Sequence, residues 1–255
     1  MGNDESFLLL AATIVAVAAW GSWFVHVLRF FSPDCPKWYR GVLVLTPPAC
    51  LSTLALAVSR YYSAEVRGNA GYILLFTAVG AVILRATLTL LNLLGLDVVG
   101  SAVGQRNAAV LPAIVGAWLA GLTLNIGANI GEGRTVYTAL GPLVLACALL
   151  AGFALLVGTI TQVSDSIVSG RNLAAGLRFG ALMLGAGLPL AVAASGDWVS
   201  IHGILHKFLL SVPVLVGLLV LGWLADRMLG ARCGWLLAGL LPAGVFVFIG
   251  AASIA

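Results

Sequence analysis

Charge is what this chain has least of. Lys, Arg, Asp and Glu together make up 9% of its 255 residues, where a soluble domain carries about 25%. Hydrophobic residues make up 61% and the mean hydropathy is +1.10. That balance excludes an ordinary soluble enzyme, a nucleic-acid binder and a disordered protein. Cysteine is also scarce. Its four copies (Cys35, Cys50, Cys147 and Cys233) are scattered, with no CxxC and no metal-ligand spacing, so neither a disulfide scaffold nor a redox centre is expected. They read as small apolar side chains in or near membrane spans. No Ser/His/Asp arrangement, HExxH, P-loop or dinucleotide signature occurs, so no catalytic residue and no cofactor are expected. The net charge of +4 would suggest nucleic acid in a soluble chain; here the basic residues must first be placed along a membrane normal, and no nucleic-acid partner is expected.

What the chain has in abundance is long apolar runs. Eight stand out: Phe7–Phe30, Val42–Val58, Ala70–Leu96, Ala108–Ile130, Tyr137–Ile160, Leu173–Ala194, Ile204–Leu224 and Cys233–Ala255. A spanning helix takes roughly 20 apolar residues, so the sequence predicts a polytopic all-α membrane protein with eight spans, short joints and no separate soluble domain. The acidic start MGNDES lacks the basic region and small-residue cleavage site of a signal peptide. The first span is therefore predicted to be retained, with its N-terminus outside.

Orientation follows from the basic residues, which cytoplasmic loops retain. Joints 1–2, 3–4, 5–6 and 7–8 hold Arg29, Lys37, Arg40, Arg106, Arg171, Arg227 and Arg232; the opposite side holds Arg60, Arg67, Arg134 and Lys207. Both termini are predicted outside.

The four joints on the basic side resemble one another. They read SPDCPKWYRG, LDVVGSAVGQRN, VSDSIVSGRN and ADRMLGARCG, each with an aspartate before an arginine: Asp34 and Arg40, Asp97 and Arg106, Asp165 and Arg171, Asp226 and Arg232. The arginines recur at intervals of 66, 65 and 61 residues, and a Gly- or Ala-rich helix follows each. The chain thus reads as a single transmembrane domain of four tandem helical hairpins (near 7–58, 70–130, 137–194 and 204–255), parallel to one another rather than inverted. Asn107 and Asn172 stand where an N-cap would open the returning span. The aspartates are expected to pair with the arginines across each turn, and the arginines to anchor at lipid headgroups or dock a cytoplasmic partner. The pairs Gly176/Gly180, Ala181/Gly185 and Ala117/Gly121 permit close helix approach. They predict returning spans at the centre or at a subunit interface, with the Leu/Val-rich spans facing lipid.

The stretch SGRNLAAGLRFGALMLGAGLPLAVA (Ser169–Ala193), after a turn bearing Gln162 and Asp165, resembles the YjfL-type bacterial inner-membrane proteins, a domain-of-unknown-function family. QRNAAVLPAIVGAWLAGLTLNIG (Gln105–Gly127) is similar to a second copy of the same element. The likeness covers roughly Ala70 to Ala255, while Arg40-Gly41 and Cys233-Gly234 replace the Asn element in the outer copies. The resemblance implies a multi-pass protein of the bacterial cytoplasmic membrane and assigns no activity.

Two arginines fall inside spans. Arg85 lies near the middle of its run, with Thr89 and Asn92 at i+4 and i+7 on the same helix face, and a central Arg is costly enough to point to function. No acidic residue falls inside any predicted span, so its counter-charge must be an end aspartate, carbonyl oxygens, a lipid phosphate or a bound anion. Arg178 follows Arg171 by about two turns and is expected to snorkel back to the interface or to build a basic pocket with Asp165 and Arg171. Arg85, Thr89, Asn92 and Arg178 form the candidate intramembrane polar site. His202 and His206, spaced i, i+4, are a weak metal candidate that would need Asp197 or Glu132 to complete it. Asn125 and Asn129 read equally as interhelical hydrogen-bonding groups and as ligands.

Three functions remain open: a non-enzymatic carrier or channel that moves or senses a small solute or ion, a membrane scaffold that docks a partner through its Asp/Arg turns, and, with only scattered polar residues behind it, a membrane enzyme acting on lipid. The expected partners are the bilayer itself and either a second copy or a membrane or cytoplasmic protein.

Overall fold

In hydrocarbon a backbone must satisfy its own N–H and C=O groups, and for an open-ended segment only a helix does so. The computed structural model describes residues 2–29, 37–62, 64–130, 136–196, 200–229 and 239–252, and these hold helices and no strand. In chain order they are α1 (Asn3–Arg29), α2 (Lys37–Tyr61), the short α3 (Ala64–Arg67), α4 (Ala70–Leu93), a π-helical turn (Gly100–Gly104), α5 (Val110–Ala128), α6 (Val136–Thr161), the short α7 (Val163–Val168), α8 (Leu173–Ala194), α9 (Ile201–Leu229) and α10 (Leu241–Ala252).

Among the described residues seven helices are long and apolar enough to cross a membrane, and the chain is a multi-pass integral membrane protein. The eighth predicted run shows the 12-residue α10, about 18 Å of helix, preceded by Gly239 and Leu240; positions 233–238 and 253–255 of that run fall outside the described residues. Two predicted boundaries shift. α2 starts at Lys37 and so takes in Arg40, while α9 runs on to Leu229 and takes in Asp226.

Two helices form the centre. Of their most apolar stretches, 72% of α5 and 78% of α8 are buried, against 17–39% for the other candidate spans. Glycine is the reason they meet so closely. A Cβ on Gly116 would run into the backbone of Gly180, one on Gly180 into the Pro112 carbonyl, one on Gly176 into the Ala109 carbonyl, and one on Gly127 into the Ala191 carbonyl. In lipid, where apolar surface gains nothing by leaving the solvent, such close packing is what drives helices together. The order of these contacts makes α5 and α8 parallel.

The same pattern extends outward. α10 lies parallel to α8, with Gly250 against the backbone of Gly185. α2 lies parallel to α5, tied at one end by Tyr39 and at the other by Tyr62, whose hydroxyl donates to the Asn125 carbonyl at 3.3 Å. α4 runs antiparallel to α5, its Gly80 level with Asn125 and its Leu84 with Gly121. α1 lies parallel to α4, with Trp20 Nε1 donating to the Ala81 carbonyl at 2.9 Å. Of the returning spans, expected at the centre or at a subunit interface, α5 and α8 are central, while α2 is a third buried and packs on α4 and α5.

The backbone contact predicts a sharp contrast between glycines. Gly180→Val should cost about 1–3 kcal/mol or more by forcing α5 and α8 apart, read as a lower thermal midpoint in detergent. Gly152→Val on α6, where nothing lies within 4 Å of a new Cβ, should leave the midpoint unchanged.

Candidate functional site

The two inner turns share a set of backbone features 65 positions apart, although one holds the π-helical turn and the other α7. Asp97 and Gln162 open them with φ of 35° and 50°. The amides of Gln105 and Gly170 then donate to the carbonyls of Gly100 (2.8 Å) and Asp165 (3.0 Å), and those of Asn107 and Asn172 to Ser101 (2.9 Å) and Ser166 (3.1 Å). Arg106 and Arg171 take the left-handed region, φ 53° and 46°, at a cost of roughly 1–2 kcal/mol each. That reversal lets the next residue cap the returning helix. Asn107 Oδ1 accepts from the Ala109 amide at 3.0 Å, and Asn172 Oδ1 from Ala174 at 3.0 Å and Ala175 at 3.3 Å. The capping role expected of Asn172 is observed at the N-cap of α8, whereas Asn107 caps the turn just ahead of α5, whose own N-cap position is Ala109.

Asn107 does more than cap. Its Nδ2 crosses to the other turn and donates to the Ile167 carbonyl at 2.7 Å. From α2, the Tyr39 hydroxyl is shared between the carbonyls of Ala102 (2.7 Å) and Asn107 (3.0 Å). Three elements are thereby locked at one end of the bundle, with Asn107 fully buried. The outer joints are described only at their edges. Arg40 lies exposed in the first turn of α2, and Asp226 lies inside α9; Asp34 and Arg232 fall outside the described residues. The Asp97 carboxylate folds onto its own turn, accepting from the Gly100 amide at 3.1 Å. Asp165 and Arg171 are exposed.

Arg178 corrects two expectations. It does not snorkel: the residue is 3% exposed, and its guanidinium donates to Asp226 Oδ1 at 2.7 Å. Nor are the spans free of acid, since α9 carries Asp226 past the predicted end at Leu224 and alongside α8. Each charge compensates the other, so removing either one would leave its partner uncompensated. Arg178 and Asp226 form an ion pair between α8 and α9, and neither joins Arg85.

Arg85, Thr89 and Asn92 do share one face of α4, but that face looks outward. Thr89 and Asn92 are exposed, and Asn92 Oδ1 turns down to accept from the Val98 amide at 2.8 Å, closing the helix end. Arg85 is half-buried at the edge of this face, and its Nε is covered without a partner.

Sequence reading missed how this atom fits into a set. Among the described residues, five buried side-chain polar atoms lack a hydrogen-bond partner: Arg85 Nε, Ser101 Oγ, Trp118 Nε1, Asn125 Oδ1 and Asn129 Oδ1. All lie on α4, α5 or the turn between them. Trp118, Asn125 and Asn129 fall at spacings of seven and four, along one side of α5. The two asparagine amides donate back along their own helix, to the carbonyls of Gly121 (3.2 Å) and Asn125 (2.7 Å), which leaves the oxygens unused. Trp118 is enclosed by the rings of Trp20 and Trp23, at 6.1 and 5.8 Å between centroids. A tryptophan counts as apolar in a hydropathy pattern, so its N–H gave no signal.

No family model matches the chain, and no curated protein or solved structure is significantly similar to it. Its chemistry rests on its own residues. His202 and His206 are both exposed, and no group of three His, Cys, Asp or Glu gathers among the described residues; Asp197 and Glu132 lie outside them. Cys50 is buried and Cys147 half-buried, both as free thiols within helices, as expected.

The ion pair yields a clean test. Arg178→Met should destabilise the protein by about 3–5 kcal/mol, because it strands a charge. Adding Asp226→Leu should recover most of that loss, measured as thermal midpoints of the two single variants and the double.

Proposed function

We propose that the protein moves a small polar solute or ion across the membrane without covalent chemistry, along the α4–α5 side of the bundle rather than through its middle. The unpaired polar set carries this reading. Each buried group left without a partner costs about 1–3 kcal/mol, and buried polar groups in proteins are normally satisfied by protein or water. Five together on adjoining elements call for water or a polar solute beside them. A route between α5 and α8 has no such support, since their backbones touch.

The finer architecture belongs to the same proposal. Four parallel hairpins with both termini outside are supported by the matched inner turns and by the parallel course of α2, α5, α8 and α10. The Asp/Arg turns would then face the cytoplasm, following the excess of Lys and Arg on that side. Membership of the YjfL-type family, and with it a place in the bacterial cytoplasmic membrane, rests on the motifs at Ser169–Ala193 and Gln105–Gly127. One observation favours the scaffold reading instead: the exposed Arg106, Arg171 and Asp165 stand on neighbouring turns that Asn107 ties together, where a cytoplasmic partner could engage them.

Flux in proteoliposomes separates the two. Transport predicts that the parent passes a small solute and that Arg85→Ala, Arg85→Gln and Asn125→Leu each reduce the rate at least tenfold while remaining folded. No flux in the parent, or equal flux in all three variants, would overturn it. Loss of a bound partner on reversing the charge of Asp165 or Arg171, in a protein without flux, would establish the scaffold.

A further inference from the structure

The charge left over in the membrane names a ligand class. Of the two arginines that lie more than one turn inside a span, Arg178 is matched by Asp226, while Arg85 has no ion pair among the described residues and no hydrogen-bond partner for its Nε. Its guanidinium cannot shed its charge, because an arginine stays protonated in proteins.

Depth rules out the simpler remedies. Arg85 lies 15 residues after Ala70 and eight before Leu93, so about 22 Å and 12 Å from the two ends of α4. A helical side chain leans toward the N-terminus of its helix, which carries the guanidinium away from the nearer end and toward mid-span. The carboxylates among the described residues sit at or near helix ends. Among those nearest the α1–α4 pair, Glu5 already accepts from the Gly2 amide and from the Tyr72 hydroxyl at 2.8 Å, and Tyr72 is about 20 Å along α4 from Arg85.

The surroundings suit an anion. Trp20 of α1 donates to the Ala81 carbonyl, one turn before Arg85, so α1 covers that side of the arginine stem. Ala86 and Thr89 are exposed on the other. Arg85 therefore stands beside the α1–α4 contact, at the edge of an outward-facing surface. Trp20 also packs against Trp118, whose buried N–H is the second unpaired nitrogen donor of the set. Unpaired N–H donors and an uncompensated positive charge attract an oxyanion and repel a cation.

We propose that Arg85 binds an anionic oxygen group from outside the chain, the chemistry shared by a small free oxyanion and a lipid phosphate. As a statement about the transported solute this rests on the transport reading; as a statement about binding it stands alone.

The full chain in phosphatidylcholine nanodiscs tests it. Thermal stability and tryptophan emission would be followed on titration with inorganic phosphate, acetate and nitrate at constant ionic strength. A saturable response is expected in the parent, weakened at least tenfold in Arg85→Gln and largely kept in Arg85→Lys, with no change on exchanging sodium for potassium. In a second arm, native mass spectrometry would follow retention of phosphatidylglycerol. Retention that depends on Arg85, without any response to free oxyanions, identifies a lipid phosphate as the ligand. No Arg85-dependent response in either arm overturns the inference and transfers the arginine to a partner helix bearing a carboxylate. Oxyanion binding without flux would sustain it and sink transport; flux lowered in Arg85→Gln with no Arg85-dependent oxyanion response or lipid retention would do the reverse.

Discussion

Four glycines let α5 and α8 touch backbone to backbone, and the rest of the molecule is arranged around that contact. In lipid there is no gain from hiding apolar surface, so helices associate where atoms can pack closely. Gly116, Gly176, Gly180 and Gly127 supply that closeness on one pair of helices. α2 then lines up beside α5, and α10 beside α8. The antiparallel helices α4 and α9 fill in against this row, and α1 packs onto α4. The contact also seals the middle of the bundle, so anything polar that enters must do so elsewhere.

The polar groups divide accordingly. On the α8 side they are matched: Arg178 has Asp226, and Asn172 caps its helix with its own oxygen. At the turn end, Asn107 and Tyr39 bond across three elements. On the α4–α5 side the balance fails. Donors at Arg85 and Trp118 and acceptors at Asn125 and Asn129 are buried or half-buried without partners. Structural polar groups in membranes are normally satisfied within the protein, so this asymmetry, more than any single residue, separates scaffold from candidate site.

Much of the architecture was legible in the sequence. Apolar run length gave the helices, Gly176/Gly180 gave the central contact, and the RN dipeptides at Arg106 and Arg171 gave two capped turns. The misses have physical causes. Arg40 and Asp226 looked like turn residues because charge normally marks a loop, but both lie within the ends of helices. Arg178 looked free to reach the interface because its acid partner is 48 residues away in sequence. The outward aspect of Arg85, Thr89 and Asn92 was hidden because helical spacing places residues on a common face without saying what that face meets. Asn125 and Asn129 stood out in the sequence, but nothing there showed that their amides would bond their own helix and leave the oxygens unused, and an indole that packs in a ring cluster carries no pattern of its own.

The central claim is that polar access follows the Asn125 side of α5 and not its α8 side. Thiol accessibility tests it most directly, in a chain whose four native cysteines are replaced and single cysteines placed at Asn125, Asn129 and Ala120, the last facing Gly187 of α8. A membrane-impermeant thiol reagent should label positions 129 and 125 and leave 120 unmodified. Labelling at 120 with none at 125 and 129 would contradict the account.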